Sequence, residues 1–257
     1  RADAEALARV ARLDRKMLHP LEHRPRVDAE AMALVRARDA LVRSRVLLVN
    51  HVRGVMKSNG ERLRSGISAP AFHKHAGEIP QRLQPMLGPV MEIIGQLTTS
   101  IKEYDKQIEQ VSKESYPETE LLRQIKGVGP ITALVFVLTV SDVERFHNNR
   151  AIGPYLGLTP KRDQSGDNDP QLSITKSGNP YLRRLLVSAA HYILGPFGPD
   201  CDLRRHGARI GARGGKRAKR RAVIGVARKL SVVMLAMLRT GEEYIPLRRV
   251  NTKGKAA

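Results

Sequence analysis

The chain has 257 residues, enough to bury a core of its own in one or two domains. Its 45 Lys and Arg outnumber 25 Asp and Glu, for a formal charge of +20, and it holds one cysteine, no tryptophan and 4% aromatic residues. That balance points to nucleic acid ahead of an anionic membrane as partner. It excludes an internal disulfide or a multi-cysteine zinc site, fits a reducing cytoplasm, and leaves phosphate contacts rather than widespread base stacking to carry binding.

The opening RADAEALARVARLD is already in helical rhythm and has no initiator Met, so a longer protein is expected. His19 to Pro25, HPLEHRP, is a proline-bounded linker. Beyond it Leu34, Leu41, Leu48 and Val55, shadowed by Val35, Val42, Val49 and Met56, recur every seven residues and predict a long amphipathic helix from about Val27 to Lys57. A connection with Gly, Ser and Pro follows from Asn59 to Pro80, in which His73 and His75 read as surface residues. Val90, Leu97, Tyr104 and Val111 then form a second heptad with Ile94, Ile101 and Ile108, its start blurred by Pro85 and Pro89. The two helices are expected to pair antiparallel as a coiled-coil hairpin that joins protomers or separates lobes.

From Glu120 the sequence changes to LLRQIKGVGPITALVFVLTV. A helix, the turn Gly127-Val128-Gly129-Pro130 and an apolar helix have the form of a helix-hairpin-helix, in which Gly127 and Gly129 allow a tight turn and close approach to a phosphate. An ordinary tight turn between packed helices is the competing reading. Ile131 to Val140 is too uniformly apolar for periodicity to separate helix from strand, and the hairpin context favours helix. Phe146 to Leu156 is predicted as a short helix leading into a polar stretch.

That stretch, Gly157 to Arg184, is GLTPKRDQSGDNDPQLSITKSGNPYLRR. Its prolines, glycines and short polar residues predict an exposed loop with fixed ends, carrying Ser165. Ser173 and Ser177 are rival hydroxyls, and Ser177 could serve only as a cap. Asn179 and Pro180 read as N-cap and first residue of a helix with Leu182, Leu185, Leu186, Ala189 and Ile193 on one face. Lys176, Arg183 and Arg184 gather at its start, where the helix dipole also favours an anion, so a phosphate could sit near a serine hydroxyl. Asp163 and Asp167 are candidate bases for such a hydroxyl; all of these charges could equally be solvated loop residues.

Gly195 to Pro199 breaks the chain. Arg204 to Arg221 then holds nine Lys or Arg, no acid and four glycines, and Arg213, Lys216, Arg217, Lys219, Arg220 and Arg221 are read as contacts to a phosphate backbone. GARGGKR within it fails the phosphate-loop pattern. A final helix, Ala222 to Arg239, presents Leu230, Val233, Met234 and Met237 to the helix after the serine loop. Arg228 and Lys229 interrupt its apolar run and argue against a membrane span.

With these residues placed, the chain resembles the DEDD-type transposases of bacterial insertion sequences, relatives of the Piv-type DNA invertases that include bridge-RNA-guided recombinases. The marks are DAEALAR at Asp3, IKGVGPITA at Ile125, FHNNRAIGPYLGLTP at Phe146, QSG at Gln164 and ITKSGNPYLRRLL at Ile174. The expected fold is mainly α in three parts. Residues 1–25 end an RNase H-like α/β domain that is otherwise absent, residues 26–115 form the coiled coil, and residues 116–257 form the helix-hairpin-helix and serine-bearing domain. The resemblance implies that four acids of the RNase H-like domain hold Mg²⁺. Asp3 matches the last, and the first three are missing, so this chain alone is expected to lack the complete metal site. It also implies that Ser165 is the nucleophile, forming a phosphoserine link to DNA. The implied partners are double-stranded target and donor DNA, a non-coding bridge RNA that pairs with both, and further copies of the chain in a dimer or tetramer. A non-catalytic nucleic-acid-binding scaffold, built on the glycine hairpin and the basic segment, is the alternative.

Overall fold

The computed structural model describes residues 2–14, 25–166, 170 and 172–248. Residues 19–24 of the linker, Asp167 and Gln171 lie outside them. Among the described residues the secondary structure is helical, with no strand.

The first helix, α1 (Ala2–Leu13), is followed by α2 (Arg26–Ser58) and α3 (Gln84–Ser115), which pack side by side. Their direction follows from the pairings: Tyr116 donates to Asp28, Arg38 to Asp105, Arg45 to Thr98 and Arg82 to the carbonyl of Asn59, so the helices run antiparallel. Pro85 sits in the first turn of α3, where its missing N–H has no helical partner to lose, and Pro89 follows one turn on within the helix. On α2 the buried positions include Val35, Val49, Val52 and Met56; on α3 they are Leu87, Met91, Ile94, Thr98, Ile101, Ile108 and Ser112, spaced by three and four with only position 105 half-buried. The shadow register of α2 therefore faces α3, whereas Leu34, Leu41 and Leu48 stay half-buried at its flank.

The hairpin is dry at both ends and polar in the middle. At its tip Val49, Val52, Met56, Phe72, Ile79 and Leu87 close a separate small core, roofed by 3₁₀ helices at Ala69–Glu78 and Gln81–Leu83. His73, expected at the surface, packs its ring against Gly95 of α3, and His75 bonds Glu78 at 2.7 Å. Both are half-buried because the 3₁₀ segment lies on the hairpin rather than looping away. At the middle Arg45 is 7% exposed, its Nε has no partner, and burial, with Arg38 nearby, lowers the pKa of its guanidinium.

The open end of the hairpin enters the main core. Ala31, Met32, Val35 and Ile108 join α4 (Glu118–Arg123), α5 (Pro130–Val140), α6 (Ile152–Tyr155), α7 (Pro180–Leu194), α8 (Asp202–Ala212) and α9 (Ala218–Thr240). Every residue of α5 from Thr132 to Val140 is buried, which explains its lack of periodicity: a helix surrounded on all sides has no polar face. Each large side chain there contributes roughly 1.5–3 kcal/mol by leaving water. Gly207 of α8 and Gly225 of α9 allow close crossings, since a Cβ at either would collide with Leu194 and Val226 or with Ile210. Arg239 near the end of α9 donates to Asn149, Val143 and Phe146, pinning the irregular segment ahead of α6. That segment is shorter in helix than expected: a 3₁₀ turn at Asn149–Ala151 continuing into α6.

Candidate functional site

The polar stretch between α6 and α7 is a hairpin. Lys161 N–H bonds the Ser173 carbonyl at 2.9 Å, Thr175 N–H the Thr159 carbonyl at 2.9 Å and Lys176 N–H the Gly157 carbonyl at 3.2 Å, around an antiparallel bridge between Pro160 and Ile174. Residues 161–166 and 172–173 are exposed, so Ser165 is carried outward beyond the paired base.

Two glycines lock that base. Gly157 has φ +64° and Gly178 φ +70°; a Cβ on the first would collide with the backbone of Ser177, and on the second with the Tyr155 carbonyl. The strands are thus closer than any side chain permits, and the left-handed backbone adds a second reason for glycine. Between them Lys176 itself takes φ +60°. Arg183 reaches back from α7 and donates to the Leu156 carbonyl at 3.0 Å and the Ser177 carbonyl at 2.6 Å, closing the clasp. Asn179 caps α7 by accepting from Tyr181 N–H at 2.9 Å and Leu182 N–H at 3.2 Å. Ser177 is therefore not the cap; its Oγ bonds the Thr175 hydroxyl at 3.1 Å and the Pro154 carbonyl at 3.4 Å.

The other expected cations divide. Lys176 is exposed at the hairpin base, beside Arg183. Arg184 turns away to Asp39 of α2, stacks 5.0 Å over Tyr181, and has its pKa raised by the bond to that carboxylate. It joins hairpin α2–α3 to the compact domain. A cation not singled out by sequence, Arg228 of α9, lies over Gly153 at the foot of the hairpin, where the Gly153 carbonyl accepts from Leu158 N–H. Its only signal was that it interrupts an apolar run.

Gly127 and Gly129 flank the turn between α4 and α5. Gly127, at φ +101°, packs against Ala189, Tyr192 and Ile193, near the far end of α7. At 1.5 Å per residue, about 15–20 Å of helix separates it from the serine hairpin. Lys219 and Arg220 stand with His191 and Leu194 around a cleft of about 770 Å³ between α7, α8 and α9, again toward that far end. Arg213, Lys216 and Arg217 lie exposed in and beside the α8–α9 turn, and Arg221 donates to the Gly214 carbonyl at 2.7 Å. Nine cations in this stretch do not all face solvent, for Arg204 is half-buried.

Asp3 is exposed in the first turn of α1. Among the described residues no three His, Cys, Asp or Glu side chains come together as a metal site, so they do not by themselves fit Mg²⁺. No described helix is long and apolar enough to cross a membrane.

Residues 119–199, from α4 to the end of the loop after α7, match the model of the Transposase IS116/IS110/IS902 family. The chain is similar to the transposase for insertion sequence element IS1111A of Coxiella burnetii, 27% identical over 95% of this chain and 67% of the relative. It is 30% identical to the transposase for insertion sequence element IS1328 of Yersinia enterocolitica over 73% of this chain and 56% of the relative. It is 28% identical to the pilin gene-inverting protein of Moraxella bovis over 56% of this chain and 45% of the relative. The alignments thus span from under half to about two thirds of the length of these relatives.

Proposed function

We propose that the chain, which is similar to the IS116/IS110/IS902 family of insertion-sequence transposases over residues 119–199, is part of a DNA transposase and carries its strand-transfer serine, Ser165. The observation that supports this choice among the three serines is placement. Ser165 lies nearer the tip of the hairpin, whereas Ser173 and Ser177, exposed as well, accept bonds at its base through their carbonyls, from Lys161 N–H and Arg183. In this reading the clasp of Gly157, Gly178 and Arg183 anchors the root of the loop that carries the nucleophile.

In this reading the Ser165 hydroxyl attacks a DNA phosphorus. The Oγ–P bond forms as the P–O bond to the leaving strand breaks; Asp163, two residues away and exposed, takes the hydroxyl proton, which passes to the departing oxygen. A phosphodiester is retained throughout, so the strand can be rejoined without nucleotide hydrolysis. Lys161, Arg162, Lys176 and Arg228 supply positive charge to the phosphoryl oxygens. Arg183 positions the hairpin, and Arg184 ties the domain to α2. Asp3 would offer one carboxylate toward a Mg²⁺ site. Target and donor DNA, a non-coding bridge RNA that pairs with them, and further copies of the chain in a dimer or tetramer are the partners we propose. The basic α8–α9 segment and the turn at Gly127 and Gly129 hold backbone phosphates away from the reacting centre.

The test is a denaturing gel of the full chain with labelled, nicked DNA. Ser165→Ala should bind DNA as the parent does and give no covalent band, while Ser173→Ala and Ser177→Ala keep it. DNA binding by the parent with no cleavage, even when the remaining acids of the metal site are supplied, favours the non-catalytic scaffold instead.

A further inference from the structure

We propose that the loop Gly195–Pro199 is a fixed wedge that presents Phe197 to an unstacked base of bound DNA; this rests on the reading that the domain handles DNA. Three of the four phenylalanines, Phe72, Phe136 and Phe146, are buried, whereas Phe197 is 83% exposed. Exposure alone decides nothing, because an apolar side chain on a loose loop is often found in solvent. Here the loop is held. One guanidinium nitrogen of Arg204 donates to the carbonyls of Ile193, Gly195 and Gly198 at 2.9, 2.6 and 2.8 Å. Gly195 N–H bonds the Tyr192 carbonyl and Gly198 N–H the Gly195 carbonyl, and a Cβ on Gly198 would collide with the carbonyls that end α7. Pro196 and Pro199 stiffen what remains.

The apolar cleft walled by Leu194, Gly195, Val187 and Val223 opens at the root of this loop. A mobile Phe197 would gain by entering it; the clamp holds the ring outside. The cleft at the root of the loop favours a polyanion: Lys219 and Arg220 line it, His191 is exposed one turn before the loop, and Asp200, the acid next to the loop, is paired bidentately with Arg205. A flat apolar face on a loop next to a cation-lined cleft suits a nucleobase whose backbone is held by those cations. The 15 residues of α7 put the loop about 21 Å from the foot of the serine hairpin, close to six base steps of duplex at about 3.4 Å. A duplex lying along α7 would meet the serine at one end and the wedge at the other, where unstacking would favour strand opening.

The chain has no tryptophan, so Phe197→Trp creates a single reporter in the full chain. With DNA carrying a short unpaired gap, its emission should be quenched on binding, and Phe197→Leu should weaken binding to gapped DNA roughly tenfold while changing that to fully paired duplex by about twofold or less. Binding is followed independently by the anisotropy of labelled DNA. If DNA binds and the Trp emission stays unchanged, the wedge is overturned and the DNA reading stands. If no DNA binds at all, both fall. If Phe197→Leu instead halves the mass in sedimentation without altering DNA affinity, the ring is a contact between copies of the chain and the wedge is again overturned.

Discussion

Gly157 and Gly178 are required for two separable reasons, and substitution can divide them. At Gly178 a methyl group meets both an unfavourable φ of +70° and the Tyr155 carbonyl; at Gly166, near the hairpin tip, φ is +56° but a Cβ would find nothing within 4 Å. Gly178→Ala should therefore cost about 3 kcal/mol and Gly166→Ala only about 1 kcal/mol, read from urea unfolding midpoints. Equal costs would mean that the clasp yields to an added methyl group. Both glycines were visible in the sequence as punctuation, and the N-cap role of Asn179 could be read directly from the proline that follows it. The roles of Arg183 and Arg184 could not. A run of two arginines at a helix start looks like an anion site until the fold brings the carbonyls of Leu156 and Ser177, and the carboxylate of Asp39, within reach of them. Those partners are separated in sequence by up to 145 positions, and no local pattern announces them.

Helices α2 and α3 are held at their open end by a bond that senses pH. Tyr116 is buried and donates to Asp28 at 2.7 Å, and its pKa is raised by burial first and by that carboxylate second. A folded pKa above the ordinary tyrosine value near 10 means that the folded state keeps its proton longer than the unfolded one. The stabilisation is complete below about pH 10 and is lost as pH rises toward the folded value. The thermal midpoint should fall between pH 9 and pH 11, and Tyr116→Phe should fall less steeply; parallel slopes would remove Tyr116 as the source of the effect. The existence of both long helices was legible from heptads, but half of each seam was not. Arg38 and Arg45 occupy α2 positions that an apolar template skips, and Thr98, Asp105 and Ser112 do the same on α3. Val35, Val49 and Ile101 stood in the heptads and are buried, whereas the charged and small polar residues between them concealed the rest of that face. Helix α8 was hidden for a related reason. Its buried face is built on Leu203 and Gly207 among three arginines, so composition read as a basic segment where packing through Gly207 makes a helix.

Exposed cations stand toward both ends of α7: the serine hairpin lies at its start, and Lys219, Arg220 and the Phe197 loop lie toward its end. If Lys216, Arg217, Lys219 and Arg220 contact phosphates, DNA affinity should fall linearly in log–log form with salt, and replacing all four by alanine should reduce the slope by about 3–4. An unchanged slope would place DNA elsewhere on the protein. The central claim, however, concerns one oxygen. The full chain incubated with DNA, digested with nuclease and protease, and sequenced by mass spectrometry should yield a peptide carrying a nucleotide phosphate on Ser165. The same adduct on Ser173, Ser177 or any other residue, or cleaved DNA without an adduct, would contradict it.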